Sequence, residues 1–172
     1  LLAQEKTKNY GFELLVKAYQ ERIYSIVRRM VISHEDTNDI VQDIFIKVWQ
    51  NLNSFRQESS LYTWIYRIAV NESLRYLKNK KIKIFSSEAD VQKHLEQLID
   101  NPLHFNGDQL EAKLQKAILK LPPKQRLVFN MKYYEDLTYE QMSDILGTSV
   151  GALKASYHHA VKKIENFLSD HD

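Results

Sequence analysis

The chain has 172 residues and a formal net charge of +2, and its 44% apolar and 27% charged residues are typical of globular proteins and exclude disorder of the whole chain. Only four glycines and three prolines interrupt it, which disfavours a strand-rich fold with many tight turns and predicts an all-helical one. The absence of cysteine excludes disulfides and thiolate metal sites.

The amino-terminal segment, LLAQEKTKNYGFELL, carries charges where a secretion signal has its apolar core. Nowhere along the chain do about 18 apolar residues follow one another, as a membrane-spanning helix requires. We therefore expect no insertion of this chain into a membrane and a cytoplasmic location, with which the lack of cysteine is compatible.

Three amphipathic helices are predicted in the first half of the chain. Apolar side chains recur at helical spacing from Phe12 to Val31, and again from Asp39 to about Leu52, after a polar break from His34 to Asn38. The polar connector NSFRQESS then leads to a third helix from about Leu61 to Asn79. The residues of this helix that we expect to face inward are Trp64, Ile65, Ile68, Ala69, Leu74 and Leu77.

The middle of the chain lacks a sustained period and is predicted to be a linker. It contains an Asn-Pro pair and an Asn-Gly pair, both turn signals, with a short helix expected around Val91 to Ile99. The charge changes sign here, because a basic block from Arg67 to Lys83 is followed by an acidic stretch from Glu88 to Glu111. This distribution indicates a phosphate-facing surface and a separate connector.

Periodicity resumes at Leu110 and is cut by the pair Pro122 and Pro123, which is tolerated only in the first turn of a new helix. That helix is predicted to reach about Tyr134. Two further helices follow, from Tyr139 to Leu146 and from Val150 to Leu168.

The last two helices carry the signals of a helix-turn-helix. Ser143 is the small residue where the helices cross, Gly147 permits a left-handed turn, and Ser149 can cap the second helix. The apolar residues expected to hold the pair together are Met142, Ile145, Leu146, Val150 and Leu153. A plain helical hairpin with glycine at its corner is the alternative.

The second helix of this pair would present its outer face to base edges and phosphates. The residues on that face are Lys154, Ala155, His158, His159, Lys162 and Lys163. A merely solvated face is the alternative for the two later lysines. Adjacent histidines on a helix point about 100° apart, and no third ligand lies at metal-binding spacing, so no metal site is expected.

The helix LYTWIYRIAVNESLRYLKNKK interleaves aromatic residues with cations, a combination that can stack on and hold unpaired bases. The residues that supply it are Tyr62, Trp64, Tyr66, Arg67 and Tyr76. The alternative is that an aromatic stripe at helical spacing belongs to the core, and this is favoured for Trp64 and Ile65 taken alone.

Two long blocks of the chain resemble the conserved regions of the extracytoplasmic-function (ECF) type of bacterial sigma factor, in the sigma-70 superfamily. The block DIVQDIFIKVWQNLNSFRQESSLYTWIYRIAVNESLRYLKNKK is similar to region 2, and LPPKQRLVFNMKYYEDLTYEQMSDILGTSVGALKASYHHAVKKI is similar to region 4. The resemblance implies an all-α fold of two small helical domains joined by a flexible linker. Residues 1–83 would form the region 2-like bundle, residues 84–109 the linker and residues 110–172 the helix-turn-helix domain.

The resemblance also implies a role for each face. Residues implied to contact the clamp of core RNA polymerase are Asp39, Gln42, Asp43 and Lys47. Residues implied to bind the minus-10 promoter element are Phe55, Arg56, Gln57, Glu58, Ser59, Trp64, Arg67, Asn71 and Arg75. Residues implied to bind the minus-35 element are Ser149, Lys154, Ala155, His158, His159 and Lys162. Family members often have arginine at the position of His159, so base reading here would depend more on hydrogen bonds.

The function implied is promoter-specific transcription initiation with core RNA polymerase, without catalysis and without a cofactor. Its partners would be polymerase, promoter DNA and an anti-sigma factor. One alternative is a free-standing helix-turn-helix transcriptional regulator, which would bind duplex DNA without polymerase. A small helical enzyme is a second alternative, but Glu140 and Asp144 lie at ordinary helix-surface spacing and no nucleophile accompanies them.

Overall fold

A computed structural model describes residues 2–84, 88–101 and 108–170. Within these ranges the chain forms eight α-helices and one short 3-10 turn, Leu52–Ser54, and no strand. The helices are α1 (Leu2–Val31), α2 (His34–Asn51), α3 (Leu61–Ile84), α4 (Glu88–Ile99), α5 (Gln109–Leu119), α6 (Pro123–Tyr133), α7 (Tyr139–Leu146) and α8 (Val150–Ser169). The prediction of an all-α fold is confirmed.

The predicted polar break between the first two helices is wrong, because those residues form the first turn of α2. Ile32 adopts a left-handed backbone, with φ of 65°, and ends α1. Ser33 then caps α2, and its hydroxyl accepts a hydrogen bond of 3.3 Å from the backbone N–H of Asp36. Glu35 and Asp36 lie in the first turn, where acidic side chains complement the helix dipole. Polarity at this position therefore marks a helix start.

Two other helix predictions need correction. α1 begins at Leu2 and α3 extends to Ile84, so both helices are longer than the apolar stripes from which they were predicted. Leu74, which we expected to face inward, is 36% exposed. A helix can continue past its apolar stripe because backbone hydrogen bonds and good helix formers sustain it where no side chain is buried.

The first three helices pack around a shared apolar core. Each helix contributes side chains that are almost fully buried, and examples are Ile23, Val27, Ile44, Val48, Ile65 and Ala69. Burial of each large apolar side chain contributes about 1.5 to 3 kcal/mol. This core holds α2 and α3 side by side and leaves one face of each helix open to solvent.

The carboxy-terminal helices build a second core. α5, α6 and α8 surround a cluster that consists of Ala117, Ile118, Leu121, Phe129, Ala160 and Ile164. α4 packs beside α5, where Leu95 and Ile99 meet Leu119 and Ile32. The segment predicted as a linker therefore contains a packed helix, and the domain boundaries at 83 and 110 stay a prediction.

The two halves of the chain also touch each other. Met131 of α6 and Met142 of α7 are buried in the same apolar cluster as the first three helices. Arg29 of α1 forms a salt bridge of 2.8 Å with Glu135, which follows α6. We call this packing of α6 and α7 against α1 and α3 the closed arrangement.

The turn between α7 and α8 can be tested by substitution of Gly147. Its φ of +63° is left-handed, and no atom lies within 4 Å of the position where a Cβ would be added. Gly147→Ala is therefore expected to lower the free energy of unfolding by about 1 to 2 kcal/mol through backbone strain alone. Gly151→Ala is the matched control in the first turn of α8, where alanine is expected to be neutral or stabilising. Chemical denaturation measures both, and equal stability of the two variants would contradict the strained turn.

Candidate nucleic-acid and polymerase interface

The outer face of α2 is a stripe of exposed side chains at helical spacing. It consists of Asp39, Gln42, Asp43 and Ile46. Ile46 is 47% exposed, and a shallow cavity of about 500 Å³ separates this stripe from Phe12 and Glu13 of α1. The sequence reasoning missed Ile46. Its signal was its position one turn after Gln42, outside the apolar stripe that builds the core.

Lys47 does not lie on the outer face of α2. Its ammonium group forms an ion pair with Glu72 of α3, a buried carboxylate that also pairs with Arg75. Glu72 thus connects a residue predicted to contact polymerase with one predicted to contact DNA. A buried carboxylate needs such partners, and Glu72 was not among the predicted site residues.

In the loop between α2 and α3, the consecutive side chains of Arg56, Gln57 and Glu58 are exposed. Gln57 has a left-handed backbone, with φ of 58°. Phe55 is half-buried, and its ring centroid lies 5.2 Å from that of Trp64. This aromatic contact attaches the loop to α3. Ser59 is also half-buried, at the end of the loop.

A basic stripe runs along α3 at intervals of four residues. It consists of Arg67, Asn71 and Arg75, all of which are exposed. The half-buried Trp64 lies one turn before it. The structure therefore brings the predicted minus-10 residues of α3 together on one face, next to the loop.

The tyrosines of α3 do not join this stripe. Tyr66 is 1% exposed and belongs to the core, so the prediction that its ring stacks on bases is wrong. Tyr62 is half-buried against Tyr19, with ring centroids 5.9 Å apart, and burial raises the pKa of its hydroxyl to about 12. The hydroxyl of Tyr76 forms a hydrogen bond with the side chain of Asp36. Burial is the larger cause, and this hydrogen bond the smaller one, of a raised pKa of Tyr76. All three rings therefore have protein partners.

α7 partly covers the basic stripe in the closed arrangement. The guanidinium of Arg67 donates a hydrogen bond to the backbone carbonyl of Asp144. This bond occupies one of the five N–H donors of the guanidinium. The contact between α3 and α7 thus places the helix-turn-helix over one end of the predicted minus-10 face.

α7 and α8 form the predicted helix-turn-helix. Thr138 and Gln141 make a reciprocal capping box at the start of α7. The N–H of Gly147 donates a hydrogen bond of 2.8 Å to the carbonyl of Ser143. The hydroxyl of Ser149 accepts a hydrogen bond of 3.3 Å from the backbone N–H of Ala152. The side chains of Met142, Ile145 and Leu153 are buried between the helices and their neighbours. The capping and turn residues of the predicted motif therefore have the expected local role, while Leu146 and Val150 are half-buried.

The reading face of α8 consists of Lys154, Ala155, His158, His159 and Lys162, all of which are exposed. The ammonium of Lys154 lies 5.7 Å from the ring centroid of Tyr139, and the two histidine rings are 6.0 Å apart. Ser149 is exposed at the helix start, where its hydroxyl is the cap. The predicted minus-35 residues thus share one end and one face of α8.

Within the described ranges, no helix is both long and apolar enough to cross a bilayer. Among the same residues, no group of three or more histidines and carboxylates is arranged to hold a metal ion.

The fold and these faces define an all-helical DNA-binding protein of the helix-turn-helix class. A family model described as Sigma-70 region 2 matches residues 15–82, and one described as Sigma-70, region 4 matches residues 111–164. The chain belongs to the ECF family of RNA polymerase sigma factors. It is therefore a promoter-directing subunit of transcription initiation.

The sequences of two sigma-E factors align with nearly the whole of this chain. The ECF RNA polymerase sigma-E factor of Haemophilus influenzae is 34% identical over 164 residues, which cover 91% of this chain and 86% of that protein. The sigma-E factor of Escherichia coli K12 is 33% identical over 170 residues, 94% of this chain and 88% of that protein.

Two solved structures share the fold. The sigma factor RpoE of Bartonella quintana, in complex with the anti-sigma factor NepR, matches with a TM-score of 0.71 and 20% identity over 92% of this chain and 97% of that one. CnrH in complex with the cytosolic domain of CnrY matches with a TM-score of 0.69 and 19% identity, over 95% of this chain and 91% of that one.

Proposed function

We propose that this sigma factor divides its task among three faces. The outer face of α2 docks on core RNA polymerase, the loop with the basic stripe of α3 holds the unpaired minus-10 strand, and the reading face of α8 binds the minus-35 duplex. The observation that supports this assignment is the presence, in one chain, of a helix-turn-helix and a separate aromatic and basic face.

The minus-10 face suits capture of a flipped base. Phe55 and Trp64 offer an aromatic wall, and Asn71 has an amide that can donate to and accept from a base edge. Arg67 and Arg75 are placed to neutralise phosphates on either side. Flipping costs a few kcal/mol, which binding of the unpaired bases offsets. Strand opening then needs no bond to be made or broken by this chain, so the protein acts without catalysis.

The chain acts beside RNA polymerase in the cytoplasm and needs no cofactor. An anti-sigma factor is the expected regulatory partner, because the structurally similar RpoE was solved with the anti-sigma factor NepR. The free-standing regulator is disfavoured, since it gives no task to the region 2 match at residues 15–82.

Promoter recognition requires the halves to separate. Two elements centred near positions minus 10 and minus 35 lie about 25 base pairs apart, or about 85 Å at 3.4 Å per pair. A compact chain of this length has a radius of gyration of only about 16 Å. The segment from Ile84 to Gln109 can reach about 80 to 90 Å when it is fully extended. The closed arrangement is therefore a state of the free protein that polymerase and promoter must open.

Asn71 provides a test of the minus-10 face. Asn71→Ala is expected to reduce initiation on duplex promoters by about 5- to 150-fold, the value of one good base contact. Templates already melted at the minus-10 element should be affected less, since the opening cost is removed. Asn166→Ala, at an exposed position of α8, is the control. Abortive transcription from both templates measures the effect, and equal defects on the two would reject a role in melting.

Lys154 and His159 provide a test of the reading face. Replacing either with alanine is expected to cost about 1 to 3 kcal/mol of discrimination at the minus-35 element, while polymerase binding is retained. Lys17→Ala, an exposed cation on α1, controls for loss of charge. Competition between promoters with intact and mutated minus-35 elements gives the discrimination. If polymerase binding is lost instead, α8 has been misassigned.

A further inference from the structure

A cavity of about 580 Å³ lies between the two halves of the chain. Met30 of α1 and Leu74 and Leu77 of α3 line one side, and Leu95 of α4 and Leu127 of α6 line the others. Its volume is within the range of about 300 to 1,000 Å³ that is usual for small-molecule sites. None of the faces proposed for polymerase or promoter uses it.

The charged side chains that line the cavity all carry positive charge. Lys78, Lys120 and Arg126 contribute to its lining, and no acidic residue does so among the described residues. Glu96, just outside the lining, pairs with Lys120 at 3.4 Å. Lys120 is therefore paired and Arg126 also has an interaction partner, so within the described ranges the exposed Lys78 is the lining cation that forms no ion pair, and it lies at the rim of an apolar interior. An occupant of complementary chemistry has an apolar body and one anionic head.

The cavity wall also contains a buried amide side chain, that of Asn130. It lines the same cavity and is 6% exposed, and neither its amide nitrogen nor its amide oxygen has a hydrogen-bond partner in the described structure. A buried amide without partners costs about 1 to 3 kcal/mol, which is a reason to find a ligand beside it. The apolar cluster that surrounds α6 would not by itself require a polar side chain at this position.

We infer that this cavity binds a small amphipathic carboxylate, and that the bound molecule holds the closed arrangement. A small molecule fits this cavity better than a helix of a partner protein does. One helical turn with its side chains takes up about 400 to 600 Å³, and a docked helix needs several turns. Because α1 and α3 form one wall and α6 another, separation of the halves dismantles the site. A ligand that binds only the closed arrangement stabilises it by mass action and opposes initiation.

The binding test uses the full chain and dodecanoate below its micelle concentration, with dodecanol and dodecyltrimethylammonium as neutral and cationic comparisons. Isothermal titration calorimetry should show one saturable site that prefers the carboxylate. Lys78→Glu, which reverses one exposed charge of the lining, should weaken binding by about tenfold, whereas Lys17→Glu should not. Leu74→Trp, at a partly exposed position of the wall, should narrow the cavity and weaken binding. Thermal unfolding verifies that each variant is folded.

Three outcomes would overturn this site. They are equal binding of all three amphiphiles, unchanged binding by Leu74→Trp, or binding of an acidic amphipathic peptide where dodecanoate does not bind. The inhibitory effect alone rests on the proposed function. Dodecanoate should reduce polymerase binding by the wild type more strongly than polymerase binding by Leu74→Trp. If polymerase fails to bind the chain without any ligand, the proposed function fails while the calorimetric result still decides the site.

Discussion

Ile46→Asp is expected to weaken binding to core RNA polymerase by about 30- to 1,000-fold, the range of a central interface residue. Ile46 lies 47% exposed among the polar side chains Asp39, Gln42 and Asp43, beside a shallow cavity that a partner can fill. An exposed apolar side chain within a polar stripe gains most from burial in an interface. Fluorescence anisotropy of the labelled chain, titrated with core polymerase, measures the affinity.

Leu110→Asp is the matched control, because Leu110 is 70% exposed and lies on α5, away from α2. Both variants lose an exposed apolar side chain and gain a negative charge. Only Ile46→Asp should affect polymerase binding, and neither should unfold the protein. Equal loss of affinity in the two variants would show that α2 is not the docking face.

Locking the closed arrangement is expected to abolish promoter-specific initiation. The chain has no cysteine, so Arg29→Cys and Glu135→Cys together introduce a unique pair at the salt bridge between the halves. A short bismaleimide should join them and prevent the separation that an 85 Å promoter span, at about 3.4 Å per base pair, requires. Run-off transcription should fall in proportion to the fraction of chain that is crosslinked, as quantified on a denaturing gel.

The double variant without crosslinker should retain activity, because the part-buried salt bridge that it removes belongs to the closed arrangement, which initiation has to open. Each single cysteine variant, treated with the same reagent, controls for modification of either site. If the fully crosslinked protein initiates from its promoter as well as the uncrosslinked one does, the closed arrangement does not oppose initiation.

The helix-turn-helix could be predicted residue by residue because its signals are local. Gly147 ends α7 through its own backbone freedom, and Ser149 caps α8 through an amide three residues away. The start of α2 was missed even though its signals are also local. There, the polar residues after Ser33 were interpreted as a break when they are a capped first turn.

The faces that depend on tertiary packing could not be predicted in the same way. Tyr62 and Tyr66 lie on a helix with apolar residues around most of its circumference, so periodicity alone did not show which rings α1 would cover. The pairing of Glu72 with Lys47 brings together residues 25 positions apart, and the bond from Arg67 reaches a carbonyl 77 positions away. Charged side chains are compatible with many partners, and only the packing selects one.

The most direct test of the proposed three-face assignment is reconstituted transcription. The purified chain is mixed with bacterial core RNA polymerase and a genomic fragment library, and transcript starts are compared with those made by core alone. We expect a stable complex and new, defined starts preceded by two shared elements about 25 base pairs apart, a distance that the extended segment between the two halves can span. Binding of the chain to duplex DNA without association with polymerase, and without new starts, would contradict the assignment.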